Sequence, residues 1–309
     1  MLTQIRGIHH VTSLASDAQE NNAFFTKVLG LRRVKKTVNF DAPDVYHLYY
    51  GDEVGTPGTV MTYFPFPNAA RGTRGAGEVD VTRFSIPKGT AEAWADRLAS
   101  AGVEGIARSQ LFGDTALAFS GPDGDGFELV EADDPRTPWT GGGVGSDMAI
   151  RGFHSARLRL KKTAATEELL AFMGYEKRAT DGALTRFTVA GGNPADAIDL
   201  EHAPEAAPAR QGAGSVHHIA FAVDDRAAQL EVQKALTEAG HRITPVIDRD
   251  YFWAIYFRTP GGVLFEVATN EPGFDSDEDR AHLGQSLRLP TQHEHLRARL
   301  EQHLQPIED

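Results

Sequence analysis

The sequence predicts an α+β protein built from four copies of one βαβββ module, paired into two barrel-like units. Three observations predict it. The same phrase is written near both ends of the chain, as Gly7-Ile8-His9-His10-Val11 and Ser215-Val216-His217-His218-Ile219. Glycines at 30, 102, 174 and 240 each close an amphipathic run, at spacings of 72, 72 and 66 residues. Two segments also end alike, Gly121-Pro122-Asp123-Gly124-Asp125-Gly126-Phe127-Glu128 and Thr259-Pro260-Gly261-Gly262-Val263-Leu264-Phe265-Glu266, each with a glutamate six residues after its proline. Fixed-period self-similarity decides the architecture before any local propensity does.

The modules follow in order. The first opens with a strand over Val11–Ala15 and continues with a helix carrying Phe24, Phe25, Val28 and Leu29, closed by Gly30. The second has a strand over Val81–Ile86 and a helix with Trp94 and Leu98 behind the N-cap candidate Thr90, closed by Gly102. Strands over Ala156–Leu160 and Ile219–Val223 open the third and fourth, whose helices end at Gly174 and Gly240. Glycine suits these ends because it adopts the left-handed conformation that terminates a helix. The stretch from Asp133 to Arg151 holds Pro135, Pro138 and three consecutive glycines. It reads as a linker between an N-terminal pair of modules, 1–140, and a C-terminal pair, 150–275. An acidic stretch, Asp275 to Asp279, then leads into a tail, 276–309, where Leu296, Leu300 and Leu304 predict a docking helix. One such module leaves a sheet face bare, so two must close on each other around a cavity lined by inward-facing strand residues.

Composition narrows the function. With 31 Lys and Arg against 43 Asp and Glu, the formal charge is −12, which disfavours nucleic acid and acidic membranes as partners. No apolar run approaches the ~18 residues of a membrane span, and no signal-peptide core precedes the first motif, so a cytoplasmic location is expected. The chain has no cysteine, so any metal must be held by nitrogen and oxygen.

Two imidazoles and a carboxylate on separate strands are the donors of a 2-His-1-carboxylate iron(II) site. Adjacent strand residues face opposite ways, so one histidine of each pair lines the cavity. Module 3 carries Gly152-Phe153-His154-Ser155 where module 1 has Gly7-Ile8-His9-His10, so the second histidine is the one lost. The candidate ligands are therefore His10, His218 and Glu266. They come from modules 1 and 4, so these must face each other, leaving modules 2 and 3 as a second, empty barrel. There Glu128 occupies the slot of Glu266 without matching histidines. The corresponding slot in module 1 falls near Tyr63, where no strong fourth ligand stands.

The repeated module resembles the vicinal oxygen chelate superfamily, which includes glyoxalases and extradiol dioxygenases, over essentially the whole chain. The stretch Tyr46-His47-Leu48-Tyr49-Tyr50-Gly51-Asp52 through Thr62, Arg151-Gly152-Phe153-His154-Ser155 and Arg258-Thr259-Pro260-Gly261-Gly262 are similar to the hydroquinone-cleaving branch. The resemblance places the metal ligands at the same three positions and implies iron(II), with manganese(II) or another divalent ion as the alternative. It also implies substrate-contacting roles for Arg249 and Tyr256. Thr12 shares the inward face of His10 and is a candidate partner for a substrate oxygen. His9 and His217 match positions that the resemblance sets near the site, although strand alternation points them away from the cavity. The aromatic groups Tyr251-Phe252-Trp253 and Tyr63-Phe64-Pro65-Phe66-Pro67 are candidate walls for a flat apolar pocket. The histidines at 282, 293, 295 and 303 are expected at the surface.

The implied activity is ring cleavage of a hydroquinone-type diol by dioxygen. A metal-dependent isomerase or lyase of glyoxalase type is one alternative, and a non-catalytic aromatic-binding resistance protein is another. Expected partners are a small aromatic diol and dioxygen, with self-association into a homo-oligomer left open.

Overall fold

The computed structural model describes residues 1–308. Module 1 comprises β1 (Ile8–Ala15), α1 (Ala18–Ala23), a π-turn over Phe24–Val28, β2 (Arg32–Val38), β3 (Tyr46–Gly51) and β4 (Val60–Pro65). Module 2 comprises β5 (Glu78–Ile86), α2 (Ala91–Ser100), β6 (Ala107–Leu111), β7 (Asp114–Ser120) and β8 (Gly126–Glu131). Module 3 comprises β9 (Gly152–Leu160), α3 (Ala164–Phe172), β10 (Glu176–Asp181), β11 (Leu184–Thr188) and β12 (Ala197–His202). Module 4 comprises β13 (Val216–Val223), α4 (Arg226–Glu238), β14 (Ile247–Asp248), β15 (Phe252–Arg258) and β16 (Leu264–Pro272). The four glycines that end the helices lie in the left-handed region, at φ of 72°, 73°, 94° and 91°. Thr90 does not cap as expected: its hydroxyl donates to the Pro87 carbonyl, and the Glu131 carboxylate takes the amide of Ala91 instead.

The strands form two eight-stranded sheets. One runs β14-β15-β16-β13-β1-β4-β3-β2 and joins module 4 to module 1. The other runs β10-β11-β12-β9-β5-β8-β7-β6 and joins module 3 to module 2. Each sheet therefore draws one module from either side of the stretch 133–151, and each seam is antiparallel, β1 on β13 and β5 on β9.

Each seam carries two bulges. On the first, Ile8 and His10 face Phe221 and Ala220, so His9 is the extra residue, and Thr12 and Ser13 face His218 and Val216, so His217 is the extra residue. On the second, the same counting makes Asp80 and His154 the extra residues. A bulge resets alternation and re-aims the side chain it carries.

The tail docks by both charge and apolar contact. The buried Lys35 ammonium lies 2.6 Å from Asp277 and 2.5 Å from Glu278, which accounts for the acidic stretch. Leu300 of α5 (Arg297–His303) and Leu304 at its C-terminal cap are buried, and the Tyr46 hydroxyl donates to the Gln305 carbonyl at 2.9 Å.

Candidate metal centre

His10, Ala220 and Glu266 are register partners across β1, β13 and β16, so their side chains leave the sheet on one face. His218 stands two residues before Ala220 on that face, and the alanine methyl leaves the space between them open. The result is a buried three-donor cluster. Glu266 Oε2 lies 2.8 Å from His218 Nε2 and 3.4 Å from His10 Nε2, and the two imidazole nitrogens are 3.3 Å apart. Donors on one face of an octahedron with bonds of about 2.0–2.2 Å are separated by roughly 2.8–3.1 Å, so these three fit one ion.

The protons argue the same way. His9 Nε2–H donates to the Thr269 carbonyl at 3.1 Å, which leaves His9 Nδ1 as an acceptor for His10 Nδ1–H at 2.9 Å. His10 Nε2 is then a bare lone pair. His217 serves His218 through the matching Nδ1 to Nδ1 contact of 2.8 Å. Neither oxygen of the fully buried Glu266 has a hydrogen-bond partner. Three acceptors converging with no donor between them are costly unless a cation lies there. Burial followed by the His10 charge lowers the pKa of His9 to about 3, and burial followed by the His218 charge lowers that of His217 to about 4. Burial also lowers His218, against the pull of Glu266. Burial alone would raise Glu266, yet the two imidazoles hold it well below the usual carboxylate range. The hydrogen bonds through Nδ1 leave Nε2 of His10 and of His218 turned to the centre, so the donor set is two imidazole nitrogens and one carboxylate.

The fourth carboxylate slot of this barrel is Thr62, which is in register with Thr12 as Glu266 is with Ala220. It is not Tyr63, which faces the other way and donates to Asp125 at 2.7 Å. The Thr62 hydroxyl is held by Thr12 and by His47, each at 2.9 Å.

The cluster opens onto a cavity of about 260 Å³ walled by Leu14, Phe40, Phe64, Phe66 and Phe252. Its polar lining comes from Asn39, Asp41, His47, Tyr49, His217, Arg249 and Tyr256. Arg249 and Tyr256 both line this cavity. The Arg249 guanidinium is 3.4 Å from the Tyr256 hydroxyl and 3.2 Å from Asp41, and it lies over the rings of Phe40 and Tyr256. Two expectations are corrected. His217 lines the cavity because the bulge re-aims it, and Thr12 does not line it, its hydroxyl being spent on Thr62. His9 faces a second cavity of about 190 Å³ beside Tyr251 and Phe274.

Sequence reasoning missed His47, Tyr49 and the loop Asn39-Phe40-Asp41. Every residue of β3 is buried, so no alternation marked His47 and Tyr49, although their spacing of two puts them on one face. His293 is not a free surface group: its ring N–H and the Gln292 amide both donate to the Phe40 carbonyl at 2.8 Å, tethering the loop.

The second barrel is filled rather than open. Val81 and Ser155 stand at the histidine positions. The buried Arg83 guanidinium spans the interior, donating to Glu128 and, at 2.7 Å, to Asp199, which Arg186 also meets at 2.8 Å. His154 is half-buried behind this network, and desolvation followed by the Arg186 charge lowers its pKa to about 3. A histidine with a folded pKa below its unfolded value binds fewer protons when folded. Stability is then lost as pH falls from about 6.5 towards 3. Urea midpoints of the metal-free protein across that window are expected to fall less steeply in His154→Asn than in wild type.

The sequence model of the Glyoxalase/Bleomycin resistance protein/Dioxygenase superfamily matches residues 7–129 and 163–267. MhqO of Bacillus subtilis (strain 168), which carries a provisional name as a ring-cleaving dioxygenase, is 42% identical over 100% of this chain and 98% of its own. The chlorohydroquinone/hydroquinone 1,2-dioxygenase of Sphingobium indicum is 37% identical over 94% and 92%. A crystal structure of a provisionally named dioxygenase from Bacillus subtilis superposes with a TM-score of 0.95, at 42% identity, over 99% of this chain and 98% of that one. Two barrels of paired βαβββ modules, with a three-donor cluster in one of them, are what this kinship leads one to find, and the chain belongs to the glyoxalase and dioxygenase superfamily.

Proposed function

We propose that the chain is an iron(II)-dependent dioxygenase that opens the ring of a hydroquinone-type monocyclic diol with dioxygen. The observation that carries this is the three-donor face of His10, His218 and Glu266, with the neutral Thr62 hydroxyl in the slot of a fourth carboxylate. A divalent ion held by three donors on one face keeps three positions for substrate and oxygen, and iron there supplies the electron transfer between them. The names of the relatives point the same way, ring cleavage for MhqO and dioxygenation of hydroquinone for the Sphingobium enzyme.

The cavity supports a single ring. A benzene molecule occupies a site of about 150 Å³, so 260 Å³ accommodates one substituted ring and a diatomic molecule, and two joined rings would crowd it. Phe40, Phe64 and Phe252 wall the ring, and Arg249 supplies a fixed positive charge beside the site for a phenolate oxygen. The Tyr256 ring is 5.6 Å from that of His218, close enough for its hydroxyl to hold a proton at the metal side of the substrate.

The test loads the protein anaerobically with iron(II) and follows oxygen uptake with a substituted hydroquinone and with a catechol. Wild type is expected to consume oxygen with the hydroquinone, and Arg249→Ala is expected to keep its iron while losing about tenfold to a hundredfold in kcat/KM, the effect of roughly 1–3 kcal/mol. No oxygen uptake at full iron occupancy would defeat the proposal in favour of an isomerase or a binding protein.

A further inference from the structure

We infer that Tyr49 hydrogen-bonds the substrate oxygen that the metal leaves free, and that His47, Thr62 and Thr12 form the relay behind it. This rests on the function proposed above. A para-diol reaches one ion through one oxygen only, so the second oxygen needs a partner on the protein.

The structure offers a continuous chain to that partner. Thr12 Oγ1 is 2.9 Å from Thr62 Oγ1, Thr62 Oγ1 is 2.9 Å from His47 Nε2, and His47 Nδ1 is 2.8 Å from the Tyr49 hydroxyl. Thr12, Thr62 and Tyr49 are fully buried and His47 nearly so, yet the chain ends on the cavity, since His47 and Tyr49 line it. The Tyr49 ring is clamped between the rings of His47 and Phe274, with centroids 4.0 and 5.0 Å away, so its hydroxyl has one place to be.

Every link of this chain both donates and accepts. In one polarity Tyr49 donates to His47 and its lone pair accepts from a ring hydroxyl. In the other, His47 donates to Tyr49, whose own O–H then meets a ring oxygen with carbonyl character. One fixed residue thereby pairs with an oxygen that is a donor in the aromatic substrate and an acceptor once aromaticity is disturbed. Two other polar groups of the cavity, Arg249 and Asn39, do not have this freedom. Arg249 donates only and is engaged with Tyr256 and Asp41, and the Asn39 carbonyl is taken by the amides of Asp41 and Ala42. Tyr256 accepts from Arg249 and stands at the metal side, beside His218. Burial raises the pKa of Tyr49 well above the ordinary tyrosine value, which keeps its proton in place.

The experiment is anaerobic calorimetry of hydroquinone and of phenol, which lacks the second oxygen, binding to the iron(II)-loaded protein. Tyr49→Phe is expected to weaken hydroquinone about three- to tenfold while phenol affinity and iron content stay unchanged. Thr62→Val, which cuts the relay without touching the cavity ring, is expected to give a smaller loss confined to hydroquinone. Unchanged hydroquinone affinity in both variants overturns the inference. So does an equal loss for both ligands, because Tyr49 would then only shape the pocket. Because binding is read without turnover, a wild type that consumes no oxygen defeats the proposed function while the two affinities still decide the role of Tyr49.

Discussion

Glu266→Gln is expected to purify with almost no bound iron and no detectable oxygen uptake, because it removes the one negative charge of the donor set. The amide keeps the shape of the side chain but leaves two imidazoles to hold a divalent ion in a fully buried position, where unbalanced charge is most costly. His218→Ala is expected to behave alike, since two donors remain. His9→Ala should act differently. It leaves all three donors in place and removes the acceptor that fixes the His10 tautomer, so metal affinity is expected to fall about tenfold to a hundredfold. Elemental analysis and iron titration of the three variants separate these outcomes, and full iron occupancy in Glu266→Gln would overturn the assignment of the site.

Arg83→Met is expected to be the most destabilising single change outside that cluster. The guanidinium is buried and balances Glu128 and part of the Asp199 charge. Removing one partner of a buried pair costs about 3–5 kcal/mol, because the other charge stays in a poorly solvating interior. Adding Glu128→Gln to Arg83→Met should restore much of the loss, since the uncompensated charge is then gone too. Urea midpoints at constant m-value measure both effects, while iron binding by the other barrel should persist. A midpoint for Arg83→Met within error of wild type would mean that water reaches this network.

The architecture was legible because its signals are local and repeated. Glycine ends a helix by turning left-handed, and four that do so gave the period. The pairing of module 1 with module 4 followed from the ligands alone, since three donors on one ion cannot be far apart. The orientation of His217 was not legible, because alternation is a rule about unbroken strands and a bulge is a property of two strands together. His47 was hidden for a related reason: a strand buried on both faces has no polar face to contrast with. Arg83 looked like one more charge in a strand until Asp199, 116 residues away, came beside it.

The union of the first module with the last also has a bearing on synthesis. His10 and His218 are 208 residues apart. At about 5–20 residues per second, roughly 10–40 s separate their emergence from the ribosome. Through that interval β1 waits with its pairing edge bare, while modules 2 and 3, adjacent in the chain, are free to pair around Arg83 as soon as module 3 has emerged, ahead of module 4. The nascent protein can therefore pass through a stage with one finished, ion-plugged barrel and one open half. That half is the part exposed to mispairing and in need of shielding. The three-donor cluster is complete only once module 4 has closed on module 1, which makes the assembly of His10, His218 and Glu266 the last event in the maturation of this chain.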